Sequence, residues 1–136
     1  MKNLIFFLSL TYSFTCWAGF KIEGTYAFPK KTTYLTIYKN GDSYEGKISW
    51  IETNKKDEKN PNPALRNRDF LDMVILKNLK QTNENLYTDG FAYDPESGNT
   101  FRCKIWFQPD DENSLHVRGY IGIPLLGRSE ILSRIE

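Results

Sequence analysis

Asn40-Gly41 stands between two short runs rich in β-branched and aromatic residues, 34–38 and 43–51. An Asn-Gly pair in that setting favours a type I′ hairpin turn, because both central positions of the turn need positive φ. The two flanking runs are therefore expected to be antiparallel neighbours. The second alternates cleanly: Tyr44, Ile48 and Trp50 share one face with Gly46, while Ser43, Glu45, Lys47 and Ser49 share the other. A strand of this pattern buries one face and wets the other.

The rest of the chain repeats the pattern. A first strand is expected over 20–28, closed by Pro29-Lys30-Lys31, since proline cannot continue a central ladder. The short apolar run 73–76 reads as a strand, with a helix over FLDMVILKNL as the alternative at this length. Residues 86–93 form a further strand that ends in the turn Asp94-Pro95-Glu96-Ser97-Gly98-Asn99. Phe101, Cys103, Ile105 and Phe107 then oppose Arg102, Lys104, Trp106 and Gln108, and Leu115, Val117, Gly119 and Ile121 oppose His116, Arg118 and Tyr120. A last run spans 128–135. Aromatic residues make up 15% of the chain, which suits half-buried strands better than helices. The fold expected is all-β: one eight-stranded antiparallel up-and-down barrel, in which closure removes both sheet edges. At 136 residues there is room for one such domain.

The first residues do not belong to that domain. Lys2 precedes the apolar stretch LIFFLSLTYSF, and Cys16-Trp17-Ala18 sets small residues where a leader peptidase cuts before Gly19. The expected organisation is a signal peptide over 1–18 and the barrel over 19–136, giving a periplasmic or secreted protein. The apolar stretch falls short of the roughly 20 residues that span a bilayer. Lipid attachment at Cys16 is a poorer reading, because Ser13-Phe14-Thr15 only weakly resembles the attachment box. Removing Lys2 leaves 17 basic side chains against 17 acidic ones. No strong basic surface announces a nucleic-acid partner. Cys103 is then the single cysteine, so an internal disulfide is excluded and stability must come from packing.

The longest connection between strands, DEKNPNPALRNRD over 57–69, carries two arginines two residues apart. Long connections in small domains are usually functional. Pro61 and Pro63 forbid a regular helix through its middle, although 64–68 could make one turn. Arg66 and Arg68 could hold the head group of an anionic or amphipathic ligand at a barrel mouth, through bidentate guanidinium contacts. The plainer alternative is that they pair with Asp57, Glu58, Asp69 or Asp94 and pin the segment to the barrel.

Three motifs occur in order: Asp57, Asn60, Pro61, Arg66 and Arg68; Gly90, Tyr93, Asp94, Pro95 and Gly98; and Leu115, Val117, Arg118, Gly119, Tyr120 and Gly122 followed by Leu126, Gly127 and Arg128. In these the chain resembles the family of small exported bacterial proteins called domain of unknown function 2147, over nearly all of its length after the leader. The resemblance implies a lipocalin-like, or calycin-like, barrel and brings no activity with it. The family's opening Gly-x-Trp is Gly24-Thr25-Tyr26 here, and the closing aromatic-Arg pair is replaced by Leu132-Ser133-Arg134. By the same resemblance Arg134 should pack across Tyr26 and close the barrel floor through a cation–π contact.

The expected interior is Tyr44, Ile48, Trp50, Phe101, Ile105, Phe107, Leu115 and Val117. An eight-stranded barrel is wide enough either to be filled by its own side chains or to hold one small ligand. Both remain open at this stage. A cavity would make the chain a carrier of an apolar or amphipathic small molecule; a filled barrel would leave an envelope interaction module that docks a protein through segment 57–69, Trp106 and Tyr120. Catalysis is not expected. Cys103 falls on the apolar face and His116 on the polar one, so they cannot pair as nucleophile and base. A single histidine excludes a histidine-rich zinc site, no calcium-loop spacing occurs, and neither a phosphate loop nor a nucleophile elbow appears, so no metal or cofactor is expected.

Overall fold

Residues 19–122 and 127–136 are described by the computed structural model. The expected leader over 1–18 and Leu126 lie outside them. Eight strands form a closed antiparallel barrel in chain order: β1 (Gly24–Ala27), β2 (Thr33–Asn40), β3 (Ser43–Ile51), β4 (Val74–Asn83), β5 (Leu86–Asp94), β6 (Asn99–Gln108), β7 (Asp111–Tyr120) and β8 (Arg128–Arg134). Pairing of Tyr26 with Arg134 and of Ala27 with Ser133 joins the last strand to the first. The run at 73–76 resolves as the start of a strand, not a helix.

The hairpin between β2 and β3 forms with its turn one residue later than expected. Asn40 still pairs with Ser43, and the two central residues are Gly41 and Asp42. Only Gly41 takes positive φ, at 62°, which is the distribution of a II′ turn with glycine first. Asn40 stays in the ladder because its amide donates to Glu45 Oε1 at 2.7 Å.

Trp50 is the main departure from alternation. Tyr34 pairs with Trp50 and Leu35 with Ile48, so Ser49 is an extra residue in β3. A β-bulge of this kind reverses the facing of everything beyond it. Ile48 stays buried, whereas Trp50 turns outward, is 41% exposed and packs on Tyr34 with ring centroids 4.6 Å apart. Ile51 takes the inward place that Trp50 was expected to hold.

β1 is shorter than the 20–28 run because residues before Gly24 leave the ladder and plug one end. Ile22 is fully buried and accepts the Tyr26 hydroxyl at its carbonyl at 2.7 Å, and the Phe20 ring meets Phe107 edge-on at 5.7 Å. Over this plug lies Arg134, 4.9 Å from the Tyr26 ring centre and 5.6 Å from that of Phe107. Its guanidinium donates to the carbonyls of Lys21, Glu23 and Glu112. Gly24 is needed beside it: a Cβ there would stand 2.7 Å from Arg134 Nη1. The floor expected from the resemblance is present, with tyrosine serving where the family has tryptophan.

Candidate ligand-binding site

The opposite end of the barrel collects the β1–β2 turn, the long connection after β3, the β5–β6 turn, the end of β7 and the start of β8. A cavity of about 380 Å³ opens there, within the range of roughly 300–1,000 Å³ usual for small-molecule sites. Its wall is mostly apolar: Leu35, Ile48, Ile51, Ile75, Leu76, Ala92, Phe101, Val117 and Leu132 line it, with Phe28, Phe70 and Tyr93 nearer the rim. Asp94, Pro95, Glu96, Arg128 and Glu130 complete the mouth.

Of the eight expected interior residues, three line this cavity: Ile48, Phe101 and Val117. Ile105, Phe107 and Leu115 are buried in the lower half of the barrel, and Tyr44 is partly buried against Tyr87 at 5.3 Å. These four make core, and Trp50 is outside altogether.

The two arginines of the long connection do not reach the cavity wall. Arg66 Nε donates to the Asn60 carbonyl at 2.8 Å, and Arg68 Nε donates to Asp57 Oδ2 at 2.9 Å. The guanidinium of Arg68 also lies 5.7 Å from the Tyr93 ring centre. Asp57 is the hub of this arrangement. It is fully buried, its Oδ2 also accepts Asn60 Nδ2 at 2.8 Å, and its Oδ1 accepts the Tyr93 hydroxyl. Burial pulls the carboxyl upward, but the hydrogen bonds from Tyr93, Asn60 and Arg68 and the Arg68 charge outweigh it, holding Asp57 below the usual carboxylate range. The Tyr93 phenol is pushed up to about 12, by burial first and then by that carboxylate.

The motif around 57–69 is therefore a clamp. Asp57 N–H donates to the Arg68 carbonyl and Phe70 N–H to that of Lys55, so the segment folds back on itself; its proline stretch makes one 3-10 turn at Pro63–Leu65. Lys55 pairs with Glu96 at 3.0 Å, and Gly98 lies so close to the Lys59 carbonyl that no Cβ would fit. Asn60 is buried inside the clamp, while Pro61 is exposed. The clamp sets two cavity walls, Phe70 from its own end and Tyr93 from β5.

The charged residues that do face the cavity come from β8. Leu132 is fully buried inside the barrel, and Glu130 and Arg128 follow on the same face at two-residue spacing towards the mouth, paired with Val117 and Gly119. Neither side chain has a hydrogen bond or an ion pair among the described residues. Asp94 and Glu96, across the mouth, are already engaged: Asp94 accepts from the Glu96 N–H and the Ser97 hydroxyl, and Glu96 from Lys55. Alternation back from Leu132 would have disclosed Arg128 and Glu130 in the sequence. Of the other motif residues, Pro95 rims the cavity, Gly119 lines it, and Arg118 faces outward, donating to Ser129 Oγ at 2.7 Å.

Cys103 is fully buried and its thiol is pushed up to about 12 by that burial. His116 stacks on Trp106 on the outer wall, with centroids 5.3 Å apart. The two are on opposite faces, as alternation requires. No cluster of three or more metal-ligating side chains occurs among the described residues.

Against this geometry, the sequence profile of the family described as uncharacterized proteins conserved in bacteria (DUF2147) matches residues 24–134. The chain belongs to this family. The matched stretch, Gly24 to Arg134, takes in this chain's eight strands, the clamp and the floor arginine. The barrel is similar to that of HP1028 from Helicobacter pylori, described as a member of the lipocalin family, with a TM-score of 0.78 and 21% identity over 86% of this chain and 84% of that one. At that identity the likeness establishes a shared lipocalin-like barrel. No curated protein sequence matches the chain.

Proposed function

We propose that this DUF2147 protein is an exported carrier that holds a small amphipathic molecule in the open-end cavity. The ligand's apolar body lies against Leu35, Ile48, Phe101 and Val117, and its polar head sits between Arg128 and Glu130. The observation that supports this reading is the cavity itself: the floor of the barrel is plugged, yet the mouth, walled in part by the clamp, keeps about 380 Å³ of mostly apolar space beside two charges that have no hydrogen bond or ion pair among the described residues. Burial of apolar surface would drive binding and the head-group contacts would orient the ligand. A lipocalin-like barrel commonly serves binding rather than catalysis, and the buried thiol offers no nucleophile. Export rests on the leader read in residues 1–18.

Native mass spectrometry with organic extraction, on protein purified from its own envelope, tests the proposal. A stoichiometric small molecule is expected, displaced by an apolar fluorescent probe. Val117→Phe, which fills the cavity from β7, should abolish probe binding. A bare mass together with no probe uptake by the unsubstituted protein would overturn the proposal.

A further inference from the structure

We propose a second surface, independent of the cavity: the outer wall of β4 to β7 docks on an anionic lipid bilayer. Register assembles it. Lys77, Phe91, Arg102 and Tyr120 are consecutive cross-strand partners, so cation and aromatic alternate across four adjacent strands. Next to that row, Lys104 is paired directly with Arg118, and below it Trp106 pairs with His116 and His116 with Ile131.

Like charges placed directly opposite each other destabilise a sheet. A wall that only had to be wet would set an acid against Lys104. The ion pairs among the described residues lie elsewhere, all within or against the clamp: Lys55–Glu96, Lys56–Asp69 and Arg68–Asp57. On the wall two of the cations lie over rings, Arg102 at 6.0 Å from the Phe91 centre and Lys104 at 5.4 Å from that of Trp106, and Arg118 donates to Ser129 Oγ. Its acidic neighbours are exposed Asp89 in β5, Glu45, which interacts with Lys77 from β3, and Asp111 at the start of β7, which interacts with His116. In a chain whose formal charge is only +1, this concentration makes one side cationic and would orient the molecule on approach to a negative surface.

The chemistry fits a bilayer rather than a single-stranded nucleic acid. Bases need free ring faces on which to stack, but His116 stacks on the Trp106 ring at an interplanar angle of 21° and Lys104 lies over that ring too. The wall of a barrel is convex and offers no groove for a strand. Exposed apolar side chains stand among the cations: Phe91 is 39% exposed and Ile131, beside His116, 50%. Aromatic rings at headgroup depth, flanked by Lys and Arg that meet anionic lipid, describe an interfacial surface. The Phe91–Arg102–Tyr120 row lies at the cavity end of the barrel, so docking would bring the mouth close to the lipid.

The test is sedimentation of the purified protein, expressed from its full sequence, with large unilamellar vesicles. Binding to vesicles of equal parts phosphatidylglycerol and phosphatidylcholine is expected, with none to phosphatidylcholine alone. It should be lost in molar salt, where the screening length falls to about 3 Å. Each cation near such a surface is worth about fivefold in affinity, so Arg102→Gln with Lys104→Gln should weaken binding about 25-fold at an unchanged melting temperature. Lys30→Gln with Lys39→Gln removes the same charge away from the wall and should cost little. Equal binding to both vesicle types, or equal losses in the two double variants, would overturn the proposal. So would a protein that ignores phosphatidylglycerol and retains a single-stranded oligonucleotide.

Discussion

Replacing Asp57 by alanine should unfasten the clamp. Its carboxylate accepts three hydrogen bonds, from Asn60, Arg68 and Tyr93, in a fully buried position. Hydrogen bonds to a charged acceptor contribute about 1.5–3 kcal/mol each. Part of that sum returns in the variant, because a buried carboxylate no longer has to be desolvated and the half-buried Arg68 regains water. A net loss of about 3–5 kcal/mol remains, as when one partner of a buried ion pair is removed. For a domain of this size that lowers the melting temperature on the order of 15 °C. Asp57→Asn should cost only about 1–2 kcal/mol, since an amide oxygen can still accept from Asn60 and Arg68 while the amide nitrogen donates to the Tyr93 oxygen; charge assistance alone is lost.

The two variants also separate in acid. The folded-state pKa of Asp57 lies below the unfolded value of about 3.9. Its contribution is therefore complete above that unfolded value and disappears as pH falls through the folded one. Stability should drop below about pH 4 in the unsubstituted protein, and less steeply in Asp57→Asn, where nothing titrates at this site. Glu45, Asp69 and Asp111, also held low by their hydrogen-bond partners, keep the rest of the acid slope. Urea denaturation followed by far-UV circular dichroism across that pH range measures both effects. A loss under about 1 kcal/mol in Asp57→Ala, or identical acid slopes in the unsubstituted protein and Asp57→Asn, would refute the clamp.

Arg134→Ala removes the cover over Tyr26 and Phe107 together with three contacts to main-chain carbonyls; urea titration should show a loss of about 3 kcal/mol, and Arg134→Lys should recover less than half of it, because an ammonium cannot span the same fork. Gly90→Ala places a methyl group 2.5 Å from Leu79 Cδ2 and 2.8 Å from Cys103 Sγ, and should cost about 1–3 kcal/mol by thermal melting. Adding Cys103→Ala should restore part of that loss by removing the sulfur.

The barrel was readable in the sequence because each strand signals itself locally. Alternation in β6 and β7 places Cys103, Ile105, Phe107, Leu115 and Val117 inside, and the structure agrees at every one of them. The signal fails where one residue is added. Ser49 carries no mark that it will bulge, yet it turns Trp50 outward and Ile51 inward. The clamp was half readable: pairing of Arg68 with Asp57 was the plainer of two readings, but nothing local connects Asp57 to the phenol of Tyr93, 36 residues away.

The site was harder for a different reason. Period-two alternation tells which face a residue takes and is silent about its height along the barrel axis, and a cavity is a matter of height. In the half towards the floor the inward positions carry Tyr26, Leu79, Tyr87, Phe107 and Leu115, and the space is filled. Towards the mouth they carry Ala92, Val117 and Gly119 beside Ile48 and Phe101, and the space stays open. Height follows only from register: Leu115 meets Leu132, Val117 meets Glu130 and Gly119 meets Arg128, so towards the mouth β7 passes from large to small in step with β8 passing from buried to charged. A barrel assembled from the same faces with its large residues at the other end would be plugged where this one is open. The order of large and small side chains along each strand, read against its neighbour, decides whether such a chain is a container.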